Sequence, residues 1–498
     1  MKGAEFFNLN ITIEQAKNFQ NEKKYSVLPL KQEIFSDIIT PVQLLKVLMN
    51  VSEHCFILES AGDNENWGRY TFLGYDPKLT ITCKDNNIKI ISSDNEVQEF
   101  ITETPDDYIR QILRENKSPI FPDMPSFTGG LVGYFAYDHI KYVEPSLRSE
   151  TNDSENFNDL DLMLFDKVIA FDNFRQKIIL IVNINLKDEV EKEFSRAEQE
   201  FKKIEALIKN SKSEKTFSGK LKSDFRPLFS EKVYCDMVRK AKEHIIDGDI
   251  FQIVLSNRLE ADFEGSLLNT YRILRTLNPS PYMFYFSGSD METAGASPET
   301  LVKLQERVLH TFPIAGTRPR GKTSEQDKNL EYELMHDPKE LAEHDMLVDL
   351  GRNDLGRVSK FGTVEVEKYH EILRFSHVMH IGSTVRGIIR DDADQLDTVN
   401  AVLPAGTLSG APKIKACQLI SEIERDKRGI YGGAVGYISF NGNLDLCIAI
   451  RIAYKKNNKV FVRAGAGIVA DSVPENEYRE CLNKARAVVE ALKASEAM

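Results

Sequence analysis

The 498 residues predict an α+β protein whose sheets are mainly antiparallel and covered by helices. Three features predict it. Short apolar runs, many of them punctuated by glycine, recur along the whole chain. Longer segments with helical spacing of apolar residues stand among them, but without the βαβ rhythm of a parallel sheet. No internal repeat period is present. The length exceeds the usual single-domain size of roughly 150 residues. Composition divides the chain into a β-rich region at 1–186, a charged helix and polar linker at 187–224, and a second region at 225–498.

Taken in order, residues 1–50 read as polar helix with two amphipathic patches, the second ending at Leu45, Val47 and Leu48. Cys55–Ser60 and Gly68–Gly74 read as strands. Leu79–Cys83 and Ile88–Ile91 read as a hairpin turning at Asn86-Asn87. Phe127–Phe135 is a strand whose glycines permit close backbone approach. Leu162–Phe165, Val168–Phe171 and Lys177–Val182 complete the first region. Lys187–Lys209 is a charged amphipathic helix, and the Ser/Lys-rich stretch Ser211–Ser223 reads as a surface crossover. The last region opens with a helix over Ser230–Gly248 and a strand at Ile250–Leu255. A helix near Leu267–Leu277 and a strand at Met283–Phe286 follow. Further strands are expected at Gly429–Phe440, Asp445–Tyr454 and Lys459–Ile468, with helices at 324–350, 394–402 and 412–424.

Composition narrows the function. A hydrophobic fraction of 42% is enough for a large buried core. The net charge of −12 excludes a general nucleic-acid binder, which carries a basic surface, but allows a local basic pocket for a small anion. Six cysteines (Cys55, Cys83, Cys235, Cys417, Cys447 and Cys481) lack any Cys-x-x-Cys pairing. That pattern fits reduced thiols in a cytoplasmic protein. The opening Met1–Glu5 has no signal-peptide core, and no run reaches the length of a membrane span.

Two stretches carry most of the chemistry. Asp337–Leu350 announces a helix: Asp337 caps it, Pro338 suits its first position, and Gly351 offers a stop. Glu340 and Glu343 lie one turn apart on one face. From Pro474 a second helical pattern repeats the spacing with Glu477 and Glu480. Two such helices can converge on one hard cation, and Mg²⁺ suits one or two carboxylates, waters and an anionic substrate oxygen. The same pattern also occurs on solvated helix faces. The loop Pro313–Gly321 holds Arg318 and Arg320 beside two glycines, which suits an anion. Arg463–Gly467 ends a strand in small residues whose bare backbone can meet a flat ligand or a carboxylate. Arg451 interrupts an apolar strand and needs either a buried carboxylate or a bound anion. Pro404–Lys413 is a further possible anion site, and His377 and His380 flank Val378-Met379. Together these residues describe a Mg²⁺-dependent enzyme acting on a dicarboxylate.

The same residues carry a resemblance. From about 225 to 492 the chain strongly resembles the chorismate-binding enzymes, and over its whole length the large subunits of anthranilate synthases. The matching segments are Leu58–Ser60, Pro279–Met283, Pro313–Gly321, Glu340–Arg357, Gly406–Lys413, Gly432–Tyr437 and Gly465–Ala485. The resemblance implies two large antiparallel sheets packed as a sandwich, helices outside, and an active site in a cleft. It implies that ammonia adds at C2 of chorismate as the C4 hydroxyl leaves, and that pyruvate is then eliminated to give anthranilate. Glu343 and Glu480 would hold Mg²⁺, with Glu340 and Glu477 acting through waters. Gly316, Thr317, Tyr431, Arg451, Gly465, Ala466, Gly467 and Lys484 would hold chorismate. Glu299 would be the general acid, assisted by His380 and Thr407. L-Tryptophan would bind as a feedback inhibitor at Glu59, Ser60, Pro281, Tyr282 and Met283, with Cys447 on an adjoining strand four residues before Arg451. Water-using relatives carry lysine where this chain has Gln252, and the aminodeoxychorismate branch carries lysine where it has Ala315. Both substitutions favour ammonia and anthranilate. No nucleophile elbow surrounds any cysteine. A separate glutamine amidotransferase subunit is therefore expected, in a heterotetramer of two large and two small subunits.

Overall fold

A computed structural model describes residues 9–60, 68–148, 151–210, 217–374 and 378–498. Among these residues, 13 strands form one sheet and 12 form another, and every pairing between named strands is antiparallel. Each sheet has two halves. In the first sheet, five neighbouring strands come from residues 27–185, and Cys55–Glu59 then pairs with Tyr282–Ser287 of the later region. In the second sheet the seam is Gly130–Phe135 against Ala434–Ser439. The regions on either side of the charged helix Val190–Lys209 thus share both sheets.

The sheets face each other across an aromatic core. Phe56, Phe284, Phe286, Tyr454 and Phe461 from the first sheet meet Tyr134, Phe165, Val435 and Tyr437 from the second. The period-two alternation of each strand puts its other side chains outward. On the first sheet these pack under Val190–Lys209, Glu231–Ile246, Leu268–Leu277, Lys413–Glu424 and Pro474–Ser495. On the second they pack under Pro105–Glu115, Pro338–Gly356 and Gln395–Val402. Helix, sheet, sheet, helix is the order of layers.

Several strand pairs pass from one sheet to the other with only a few residues at the step. Glu292–Ser297 lies in the first sheet and Thr300–Gln305 in the second; Pro298 and Glu299 make the step. Leu444–Ile448 lies in the second and Ile452–Lys456 in the first; Ala449–Arg451 make that step. These two corners are bonded to each other: the Ala296 amide donates to the Arg451 carbonyl at 3.2 Å and the Ile448 amide to the Glu299 carbonyl at 3.0 Å.

The sequence expectations need several corrections. Residues 1–50 are not all helical: Val27–Phe35 is an edge strand between helices Ile13–Glu22 and Pro41–Val51. Its apolar half, Val27 to Leu30, is too short to show against the charged residues that follow. The hairpin turns at Asp85-Asn86, both left-handed, one residue earlier than expected. Within the supposed linker, Gly219–Leu221 forms a short strand, while 211–216 lie outside the described residues. The expected strand Asp445–Tyr454 is broken at its middle by the sheet-to-sheet step, where Arg451 is left-handed (φ 55°). Cys447 and Arg451 therefore do not share a strand. The helix expected at 324–350 is two helices, Ser324–Met335 and Pro338–Gly356, parted where Pro338 ends the first hydrogen-bond ladder. The second helix does not stop at Gly351. A Cβ there would stand 3.1 Å from the Thr311 methyl and 3.5 Å from Pro313, so this glycine lets the helix cross close over the sheet. Close approach was expected of the strand ending at Phe135, and Gly133 provides it: a Cβ would lie 2.0 Å from the Asp161 carbonyl oxygen.

Candidate active site

The site gathers at the two corners. Glu299 sits at one, half-buried, and accepts a hydrogen bond from the Thr407 hydroxyl at 2.9 Å. Burial pushes its carboxyl up to about 7, against the Thr407 bond and the nearby Lys484 charge. A carboxyl in that range can be protonated and still release its proton near neutrality. Thr407 belongs to the short 3₁₀ turn Gly406–Leu408, and a cavity lined by Glu299, Leu350, Gly351, Asp354 and Thr407 opens behind the pair.

Arg451 occupies the other corner. Its guanidinium donates to the Lys484 carbonyl and, among the described residues, has no carboxylate ion partner. Burial pulls its pKa down, while Tyr431 and Glu480 act the other way. Of the two alternatives left by the sequence, a buried carboxylate or a bound anion, the described residues show no carboxylate ion-paired with it, and Glu480 acts on it from further off.

Glycines line the floor. Gly465, Ala466 and Gly467 pair with Ser256, Leu255 and Val254. A Cβ on Gly465 would stand 3.1 Å from the Tyr431 hydroxyl, and one on Gly467 2.8 Å from the Gln252 amide nitrogen. On the opposite wall, the edge strand Ile314–Pro319 bulges at Gly316 and Thr317 where its register against Val378–Ile388 shifts. His380 Nδ1 lies 2.7 Å from the Gly316 carbonyl and 3.1 Å from the Thr317 hydroxyl. A carbonyl only accepts, so Nδ1 carries the proton and Nε2 is the basic nitrogen. Burial lowers the His380 pKa, with Arg451 adding to the effect and the Gly316 bond opposing it. His377 lies outside the described residues.

Two helices bring in the carboxylates. Asp337 caps Pro338–Gly356 by accepting from the Lys339 and Glu340 amides. Glu343 is exposed. Its pKa is raised by desolvation and then by Glu340, with Glu480 adding and Lys339 and Lys484 opposing. Glu477, on Pro474–Ser495, is raised by desolvation and by Glu480, against a bond from Ser472. Lys484 reaches Glu480 at 2.7 Å. Glu480 on the second helix is thus among the charges that raise Glu343 on the first, so the two helices draw carboxylates toward one another. Their hard oxygen donors fit Mg²⁺. Among the described residues no group of three or more His, Cys, Asp or Glu side chains stands close enough to hold a metal ion by itself.

The cations of the two loops expected to suit an anion already have acidic partners. Arg318 is committed to Asp337 (2.8 Å) and Glu340 (3.1 Å), and Arg320 to Asp327 (2.8 Å). Lys413 is committed to Asp354 (2.9 Å) and the Val402 carbonyl (3.0 Å). In a low-dielectric setting each cation takes the nearest carboxylate, and the loop composition did not show which acids would fold against it. The Arg318 clamp went unforeseen for the same reason.

Of the residues expected to hold tryptophan, Glu59 and Met283 are cross-strand partners. Glu59 accepts from Tyr271 and from Arg275 (Nη2, 3.1 Å). Met283 faces the helix layer, whereas Tyr282 and Cys447 face the core between the sheets, as strand alternation requires. The Tyr282 hydroxyl donates to Asp445 at 2.8 Å and accepts from Thr300 at 3.0 Å, tying the sheets together. Pro281 precedes this strand, and Ser60 follows Cys55–Glu59.

Comparison with known proteins decides the family. Residues 53–490 match the profile of the chorismate binding enzymes. This chain is a chorismate-binding enzyme of the anthranilate synthase component 1 family. The anthranilate synthase component 1 of Acetivibrio thermocellus is 45% identical over 95% of this chain and 96% of its own length. That of Aquifex aeolicus is 43% identical over 98% of this chain and 99% of its own. The crystal structure of anthranilate synthase component I from Streptococcus pneumoniae superposes with a TM-score of 0.75 at 34% identity, covering 91% of this chain and 98% of that one. The menaquinone-specific isochorismate synthase of Escherichia coli, at 20% identity and a TM-score of 0.68 over 96% of this chain and 98% of its own, shares the fold. Among the described residues no helix is long and apolar enough to cross a membrane.

Proposed function

We propose that this chain converts chorismate and ammonia to anthranilate, pyruvate and water in a Mg²⁺-dependent reaction. The observation that carries the reading is Arg451: a half-buried guanidinium with no carboxylate ion partner among the described residues, bonded through its corner to the one that holds Glu299. Arg451, the Gly316-Thr317 bulge and the Gly465–Gly467 backbone hold the two carboxylates of chorismate, with Tyr431 beside them and Lys484 near one carboxylate. Glu343 and Glu480 would hold Mg²⁺, with Glu340 and Glu477 acting through waters; the ion supplies charge neutralisation for the ring carboxylate.

Hydroxide is a poor leaving group, so the C4 hydroxyl needs a proton as it departs. Glu299 gives it, and Thr407 then stabilises the carboxylate formed. Ammonia adds at C2. His380, neutral and basic at Nε2, is placed to take a proton as pyruvate is released and the ring becomes aromatic. Gln252 cannot deprotonate water, and Ala315 cannot form a covalent adduct, which disfavours the water-using and aminodeoxychorismate reactions.

The reading extends to partners and control. A glutamine amidotransferase subunit supplies ammonia in the cytoplasm, within an assembly of two large and two small subunits. L-Tryptophan binds around Glu59, Ser60, Pro281, Tyr282, Met283 and Cys447. The test is direct. Purified chain receives chorismate, Mg²⁺ and an ammonium salt, and anthranilate fluorescence is followed with and without tryptophan. A rising signal suppressed by tryptophan is expected. A product that a lyase converts to 4-aminobenzoate would move the chain to the aminodeoxychorismate branch.

A further inference from the structure

Behind the Thr407 turn lies a charged group that the reaction does not touch. Arg428, 1% exposed, follows the helix Lys413–Glu424. Its Nε donates to Glu424 at 2.9 Å, Nη1 to the Leu408 carbonyl at 2.6 Å, and Nη2 to the Val254 carbonyl at 2.7 Å. The guanidinium lies 4.5 Å over the Tyr137 ring. Glu424 is itself saturated: it accepts from the Ser256 amide (2.7 Å) and from Arg463 Nη2 (2.9 Å). The Ser409 carbonyl accepts from the Val254 amide at 2.9 Å, so the two carbonyls that come after Thr407 in the chain, those of Leu408 and Ser409, are both pinned. A buried guanidinium has a rigid fork of donors and no freedom to drift from its acceptors.

We propose that Arg428 is a positioning residue for the acid: by fixing the Leu408 carbonyl, one residue past Thr407, it keeps the Thr407 hydroxyl on Oε1 of Glu299, so that the acid proton sits on Oε2. The inference rests on the reading of Glu299 as general acid. Oε1 accepts from Thr407, and the proton on Oε2 passes to the departing C4 hydroxyl, which leaves as water. The carboxylate left behind keeps the Thr407 bond. That bond favours the ionised form and holds the Glu299 pKa down against burial. Loosening Arg428 should therefore do what removing the Thr407 hydroxyl does: slow the protonation step and move its alkaline limb to higher pH.

The experiment uses the full chain with chorismate, Mg²⁺ and ammonium, and compares wild type, Arg428→Lys, Thr407→Ala and the double variant. Arg428→Lys is expected to lower kcat by about tenfold or more, with KM for chorismate changed by less than about twofold. Its alkaline limb moves upward in the direction shown by Thr407→Ala, and the double variant is no worse than Thr407→Ala alone. A purely structural arginine would lower stability, leave the limb in place and add its effect to that of Thr407→Ala; that result overturns the proposal, as does an unchanged kcat. If Arg428→Lys does not fold, Glu424→Asp, which draws the carboxylate back from Arg428 and keeps its charge, must give the same limb shift. Absence of anthranilate from wild type would instead remove the reading of the reaction.

Discussion

At the scale of single residues the site is governed by carboxyls held in different states. Glu299 is raised to about 7, mainly by burial, so the folded chain binds its proton more tightly than the unfolded chain does. The sign follows: below the ordinary glutamate range both states are protonated, and as pH rises from there to about 7 folding loses stability. Glu299→Gln should therefore raise the unfolding midpoint above the wild type's at pH 8, by up to on the order of 3 kcal/mol, and leave it nearly unchanged at pH 4. It should also abolish turnover. Urea titrations at the two pH values check the first expectation, and equal shifts at both would mean the carboxyl is not raised. Glu343 is raised by desolvation and by Glu340 and must lose its proton before it can bind a cation. Mg²⁺ should thus raise the melting temperature more at pH 8 than at pH 6. In Glu343→Gln that increment and Mg²⁺-dependent turnover should both disappear while the fold stays intact. Retained activity would remove Glu343 from the site.

At the scale of elements, the helix Pro338–Gly356 shows how far the sequence can be read. Asp337, Pro338 and the Glu340–Glu343 spacing are local signals: a cap, a first-turn proline and a shared face involve residues within a turn of each other, and all three stand as expected. Gly351 looked like a stop because its role depends on a strand 40 residues away. The Thr311 methyl, not the helix, explains the missing side chain. Gly351→Val should destabilise the chain by about 1–3 kcal/mol, since the first added carbon already meets Thr311 and Pro313 and the two methyls go further in. Denaturant midpoints measure it, and a neutral result would show that the helix can lift away. Partner choice among charges was equally hidden. Arg318 and Arg320 in a Gly/Pro loop and Arg451 in an apolar run all read as candidates for an anion, yet only the fold shows that the first two are ion-paired and that the third has no carboxylate ion partner among the described residues. The proposed site residues come chiefly from the family resemblance, since spacing alone permits a solvated face for each glutamate pair.

At the scale of the whole molecule, the two sheets are tied together at corners, and the corners carry Glu299 and Arg451, to which the proposed chemistry and its control are assigned. Tyr282–Ser287 pairs with Glu292–Ser297, which leads through Pro298 to Glu299. Leu444–Ile448, which carries Cys447, leads through the second step to Arg451. Tyr282 spans the gap between the sheets to Asp445 and Thr300. An indole lodged against Glu59 and Met283, on the helix side of the strand that carries Tyr282, would press on the first lead, and the shift would reach both corners because the Arg451 carbonyl is bonded to the Ala296 amide and the Glu299 carbonyl to the Ile448 amide. Coupling of that kind is reciprocal. If tryptophan weakens chorismate binding by some factor, chorismate must weaken tryptophan binding by the same factor. Without ammonia no amination proceeds, so both affinities can be measured by equilibrium dialysis on the Mg²⁺-loaded chain. Equal factors are expected. Tyr282→Phe, which removes the tie between the sheets, should reduce both factors together while kcat measured without tryptophan changes by less than about twofold. Tryptophan that binds and inhibits without altering chorismate affinity would mean that the corners move only after substrate is bound, and that the control acts on the chemical step instead.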